Sequence, residues 1–138
     1  MAAEHLLRSV MRAVEKANFE PLYKAMSDDV VWKSAATLKG LFRFGGQYSG
    51  KKGVERLISE LETDYTLKSL TTREVISKGD VTWGLFWVDL FYKPTLAQVC
   101  FDFAIRWRVQ DGKVVEHQGF MDTAAMLVHE QSGLLPGT

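Results

Sequence analysis

The chain has 138 residues, 46% of them hydrophobic, which is enough for one domain to bury a core without disulfide or metal staples. Its 17 Lys and Arg balance its 17 Asp and Glu, so no overall field draws it to nucleic acid or to an anionic membrane, and a small molecule or another protein is the expected partner. A lone cysteine, Cys100, excludes an internal disulfide, and with no signal-peptide core and no apolar run of bilayer length the expected location is the cytoplasm.

From Ala3 to Ala17 the residues Leu6, Leu7, Val10, Met11 and Val14 fall on one side of a 3.6-residue helix, with Glu4, Arg8, Arg12, Glu15 and Lys16 mostly around the other. Asn18 can cap a second, shorter helix that tolerates Pro21 in its first turn and carries Phe19, Leu22, Tyr23 and Met26 on one face. Ser27-Asp28-Asp29 ends that helix, and Val30-Val31-Trp32 opens a strand to about Ala35, followed by an irregular arm through Gly45-Gly46. After Ser49-Gly50, the spacing of Val54, Leu57, Ile58, Leu61 and Tyr65 predicts a third helix. Lys51, Lys52 and Arg56 on it read as a solvated face, since no phosphate-binding loop accompanies them.

Four long strands follow. Thr66 to Ser77 is rich in Thr and β-branched residues, Lys78-Gly79-Asp80 is a turn, and Val81 to Lys93 is a long strand closed by Pro94. Between Val99 and Val109 the apolar Phe101, Phe103, Ile105 and Trp107 alternate with Asp102, Arg106 and Arg108, the pattern of a strand with two unlike faces. Asp111-Gly112 is a tight hairpin turn into a last strand, Val114 to Met121, and Asp122 caps a final helix that ends before Gly133. Helices grouped ahead of an antiparallel meander indicate an α+β fold. The expectation is a single domain over 1–138: a cone-shaped, curved, mainly antiparallel sheet wrapped around three N-terminal helices, with a short C-terminal helix.

This order, with ANFEPLYKAMSDDVVW, then YSGKKGVERLI, then DGKVVEHQGFMDTAAML, resembles the nuclear transport factor 2-like superfamily, and within it the SnoaL-like branch. That branch includes polyketide cyclases and is related to ketosteroid isomerases and limonene-epoxide hydrolases. The resemblance runs from the first helix to Leu127 and implies the same cone-shaped shell, which hosts many reactions as well as binding without reaction. Carried over residue by residue, it mostly subtracts. The positions of a limonene-epoxide hydrolase-like site are here Trp32, Ser34, Trp87, Asp89 and Gly119, so only the carboxylate at Asp89 survives. The cyclase-like acid also falls on Gly119, the isomerase-like base near Ser34 and its acidic oxyanion donor near Ile105. The resemblance therefore implies that Gly119 should exclude limonene-type epoxide hydrolysis and acid-assisted cyclisation of the SnoaL type. Asp122 matches a frequent acidic position of these sequences, but its place at a helix start makes capping its duty.

The family-like alignment points the odd residues of the long strand, Trp83, Leu85, Trp87, Asp89 and Phe91, into the cone, and parity on the last strand adds Val115, His117, Gly119 and Met121. Asp89 and His117 are then the candidate catalytic pair, since an acid and an imidazole within reach of each other stabilise both charges and can move protons near neutral pH. The plainer alternative is that Asp89 accepts a hydrogen bond from an indole and His117 satisfies a neighbour. Trp32, Ser34, Trp87, Phe101, Phe103, Trp107 and Met121 are the candidate pocket wall, as against plain core.

His5, His117 and His129 have no metal spacing, and no nucleophile elbow or dinucleotide fingerprint is present, so a site without metal or cofactor is expected. Cys100, at an even position without a fixed basic partner, reads as a small buried hydrophobe and not as a nucleophile. The even side of the long strand, Phe86, Val88, Leu90 and Tyr92, is expected to face outward and to form a homodimer. Two functions follow. One is a cofactor-free isomerase, lyase or hydrolase of a small apolar molecule, using Asp89 as base and His117 as its proton partner; the other is a ligand-binding or protein-interaction module without chemistry.

Overall fold

The computed structural model describes residues 2–35 and 44–131. Helix α1 (Ala2–Val14) buries Ala3, Leu7, Val10, Met11 and Val14, the stripe that its spacing demands. It stops where Ala17 takes a left-handed conformation (φ 57°), and the Asn18 side chain then accepts from the Glu20 N–H at 3.2 Å to start α2 (Glu20–Ala25). Strand β1 (Met26–Lys33) begins directly after it, so Ser27-Asp28-Asp29 lies in the strand and does not end the helix. The expected arm holds a short strand, β2 (Gln47–Ser49), antiparallel to β1 through Val31 and Ser49; residues 36–43 of that arm lie outside the described residues. Helix α3 (Lys51–Asp64) follows, burying Val54, Leu57 and Ile58.

The meander is β3 (Tyr65–Lys78), β4 (Val81–Tyr92), β5 (Ala97–Gln110) and β6 (Lys113–Met121), and α4 (Thr123–Gln131) closes the described chain. All six strands form one curved, unclosed sheet in the order β2-β1-β6-β5-β4-β3, antiparallel except where β1 runs parallel to β6. The fold is thus the expected α+β cone around the N-terminal helices. The parallel pair was not among the sequence expectations, because nothing local to Val30-Val31-Trp32 says which strand it will meet.

Turn lengths decide which way each strand faces. Asp111 and Gly112 both have positive φ (52° and 75°), which makes the two-residue turn whose twist suits a hairpin. The turn between β4 and β5 holds four residues, with Leu96 in a left-handed conformation (φ 59°), and joins Tyr92 to its partner Ala97. Even residues of β4 therefore pair with odd residues of β5: Val88 with Phe101, Phe86 with Phe103. Cross-strand partners share a face. The expectation that the odd residues of β4 point into the cone is overturned. Phe86, Val88, Leu90 and Tyr92 face inward, and Trp83, Leu85, Trp87, Asp89 and Phe91 face outward. A bulge in β6, where Val115 is the extra residue opposite Arg108 and Val109, likewise makes Val114, fully buried, the inward residue at the start of β6 in place of Val115.

Helix α1 can lie on the sheet because residue 84 has no side chain. A Cβ there would stand 2.6 Å from the Phe86 ring and 3.0 Å from a Leu7 methyl, both of them buried.

Candidate functional site

Between α1, α3 and the concave face of the sheet lies a cavity of about 370 Å³. Its wall is overwhelmingly apolar: Leu57, Ile58 and Leu61 from α3, Val88 and Leu90 from β4, Phe101, Phe103 and Ile105 from β5. Met11 and Val14 of α1 and Met126 of α4 complete it. Helical spacing found these helix residues only as core; that they stop short of filling the cone follows from the sheet's curvature. The exposed members of the wall, Ala17, Glu62, Thr66 and Lys93, mark the mouth. Lys93 donates from Nζ to the Glu62 carbonyl at 2.9 Å, and the buried Tyr65 hydroxyl donates to Glu130 at 2.9 Å, tying β3 to α4. Burial, followed by that bond to Glu130, pushes the Tyr65 hydroxyl pKa well above its ordinary value.

Of the residues expected to line a pocket, Trp32, Ser34, Phe101, Phe103, Trp107 and Met121 do, and Trp87 does not. Trp87 lies on the outer face beneath the Arg73 guanidinium, 5.1 Å from its ring, and Arg73 pairs with Asp102 at 3.0 Å. Asp89 is on the same outer face. Its carboxylate accepts from Gln98 Nε2 at 3.0 and 3.1 Å and from the Cys100 thiol at 3.4 Å. Cys100 is exposed, not the buried hydrophobe expected, and desolvation and the neighbouring Asp89 carboxylate push its thiol pKa up. Asp122 does cap its helix, accepting from the Ala125 N–H at 3.1 Å.

His117 points the other way, into the cavity wall, only 3% exposed. Asp89 and His117 therefore leave opposite faces of the sheet, and the expected acid–imidazole pair does not form. What His117 has instead is two indoles. Trp32, its partner across the parallel β1 and β6 pair, stacks on it with ring centroids 3.4 Å apart and planes within 7°. Trp107, its partner on β5, donates from Nε1 to His117 Nδ1 at 2.9 Å. An imidazole that accepts at Nδ1 carries its proton at Nε2. Burial without a counter-charge pulls its pKa down from 6.5 to about 3, so the ring is neutral at physiological pH. Gly119, two residues on and facing the same way, leaves Nε2 uncovered: a Cβ there would lie 3.4 Å from Nε2 and 3.0 Å from the Phe103 ring.

Among the described residues, no cluster of three or more His, Cys, Asp or Glu side chains could hold a metal ion, and no helix is long and apolar enough to cross a membrane.

Solved structures of the same fold are numerous. An NTF2-like protein of unknown function from Burkholderia pseudomallei is 20% identical, with a TM-score of 0.83 over 92% of this chain and 95% of that one. TerC, co-crystallized with polyporic acid, is 21% identical with a TM-score of 0.80, covering 94% and 97%. A protein from Mesorhizobium loti, provisionally named a SnoaL-like polyketide cyclase, is 15% identical with a TM-score of 0.72, covering 87% and 99%. Others carry provisional isomerase and hydroxylase names. At these identities the likeness shows the fold. No match is found among curated proteins. The model of the SnoaL-like domain matches residues 7–117, well over half of the sequence, and the chain belongs to that family.

Proposed function

We propose that the protein binds a small, mostly apolar molecule inside the cone. The observation that carries this reading is the cavity itself: about 370 Å³ of space within an otherwise close-packed core, walled by aliphatic and aromatic side chains and open at the Glu62 and Lys93 end. A neutral apolar dye, N-phenyl-1-naphthylamine, tests it. Its fluorescence should rise on binding the wild-type chain, and Leu61→Trp, which fills the cavity from α3, should suppress the rise while the variant still melts cooperatively. An equal response from both proteins, or none from the wild type, overturns the reading.

A second reading, a cofactor-free isomerase, lyase or hydrolase, is favoured by the neutral imidazole of His117, since such a ring can polarise a carbonyl oxygen. The provisional names of several fold relatives point the same way. Binding is preferred because Asp89, the base assigned to that chemistry, faces away from the cavity.

The expected homodimer stays a proposal, with its residues corrected. The outward face carries Trp83 (39% exposed) stacked on Phe120 (43% exposed), beside Leu85 and Trp87. Around them Arg73 pairs with Asp102, Arg106 with Glu116, and Arg108 with Asp80. Charges balanced on one face select no strongly acidic or basic partner and suit a second copy of the same face.

A further inference from the structure

Two polar side chains are buried among the described residues, Thr82 and His117. Thr82 is accounted for: its hydroxyl accepts from Ser77 Oγ at 2.8 Å and donates to the Ile76 carbonyl at 3.3 Å. His117 is accounted for on one side only. Trp107 satisfies Nδ1, and among the described residues no acceptor stands within hydrogen-bonding distance of Nε2. Nε2 opens on the cavity, so a neutral N–H held in its otherwise apolar wall is a donor that an acceptor entering from outside the protein can reach.

The surroundings narrow that acceptor. Trp32 stacks on one face of the ring and Trp107 holds Nδ1, so the imidazole cannot turn aside, and the N–H points in a fixed direction. Among the described residues no cationic side chain shares this part of the wall; Lys93, the one cation among the described lining residues, stands at the mouth. An anion would be left without a counter-charge at the buried end, whereas a neutral carbonyl oxygen needs only one donor. Access is through Gly119, where even a methyl group would come within 3.4 Å of Nε2.

We propose that His117 Nε2–H and the bare backbone at Gly119 form a subsite for the neutral carbonyl oxygen of a ketone- or quinone-type ligand, the apolar remainder of which fills the cavity. This rests on the ligand-binding reading and deepens it. Gly119 is then a specificity-determining position: its lack of a side chain admits the oxygen.

The test uses two probes of one skeleton, 2-acetonaphthone and 2-ethylnaphthalene, which differ in the carbonyl, with binding followed by quenching of tryptophan fluorescence. His117→Asn keeps an acceptor for Trp107 near the Nδ1 position, but its shorter side chain places no donor where Nε2–H stands. It should weaken the ketone by about five- to tenfold, the worth of one hydrogen bond, and leave the hydrocarbon nearly unchanged. Gly119→Ala should discriminate against the ketone in the same sense and serves if the first variant folds poorly. In the wild type the bound ketone's carbonyl stretch should move to lower frequency, and in His117→Asn it should return. If both probes bind but neither variant separates them and the carbonyl stretch does not move, the subsite is refuted while the cavity reading stands. If neither probe binds the wild type, both fall.

Discussion

Trp107 donates its indole N–H to Nδ1 of His117 at 2.9 Å, across the β5 and β6 pair, and this one bond decides what the histidine is. It places the ring proton on Nε2, and burial keeps the ring neutral. Removing the indole should expose the arrangement. Trp107→Phe leaves Nδ1 buried without a donor and trims a fully buried side chain, and it should cost about 1–3 kcal/mol for the unsatisfied acceptor alone, measured by urea denaturation. A loss within experimental error would mean the bond is not formed in solution.

The depressed pKa of His117 makes stability depend on pH in a defined direction. In the unfolded chain the imidazole titrates near its ordinary 6.5, and in the folded chain at about 3. Between these values the unfolded state holds the proton and the folded state does not, so acid favours unfolding. The contribution is absent above about pH 7, grows as pH falls through 6.5, and stops growing below about 3, with a slope of at most about 1.4 kcal/mol per pH unit. Among the described lining residues, the other ionisable side chains, Glu62, Tyr65 and Lys93, are at the mouth or bonded elsewhere and do not face the ring. Wild type and His117→Asn should therefore diverge in acid denaturation series, the variant showing the shallower fall. Parallel curves would contradict it.

Gly84→Ala should destabilise the protein by about 1–3 kcal/mol, because the added methyl group meets the Phe86 ring and Leu7, both buried beneath α1. Gly53→Ala is the internal control: nothing lies within 4 Å of its added Cβ, and in the helix it should be neutral or stabilising. Thermal melts of the two variants decide the matter, and equal shifts would count against the packing described.

On the outer sheet face, Asp89→Asn should change stability by no more than about 0.5 kcal/mol and should leave probe binding in the cavity untouched. Cys100 should be open to alkylation in the folded protein yet slow at neutral pH, since the raised thiol pKa keeps the thiolate scarce, and Asp89→Asn should speed it. Loss of ligand binding in Asp89→Asn would restore this residue to the site.

If a second copy covers the outer face, Trp83→Glu should convert a dimer to a monomer in sedimentation experiments while the melting temperature of the monomeric unit is kept. A wild-type chain sedimenting as a monomer at micromolar concentration removes the proposal.

Much of this protein is local in origin and was legible in its residues. The 3.6-residue spacing of Leu7, Val10, Met11 and Val14 makes α1. Asp111-Gly112 makes the hairpin, Asp122 caps α4, and the alternation from Phe101 to Trp107 sets the inward face of β5, each through contacts a few residues away. The candidate site was legible in part: a period of two puts Phe101, Phe103 and Trp107 on one face, and the family resemblance, with parity on the last strand, pointed to Trp32, Ser34 and His117; all of them line the cavity. Asp89 and Trp87 were not. Their direction depends on the register between β4 and β5, and a period of two leaves both answers open until the turn from Lys93 to Leu96 is seen to hold an even number of residues. Tertiary structure alone decided that β1 lies parallel beside β6. Trp32 and Trp107 reach His117 from strands 85 and 10 residues away, and no local preference relates residues so placed.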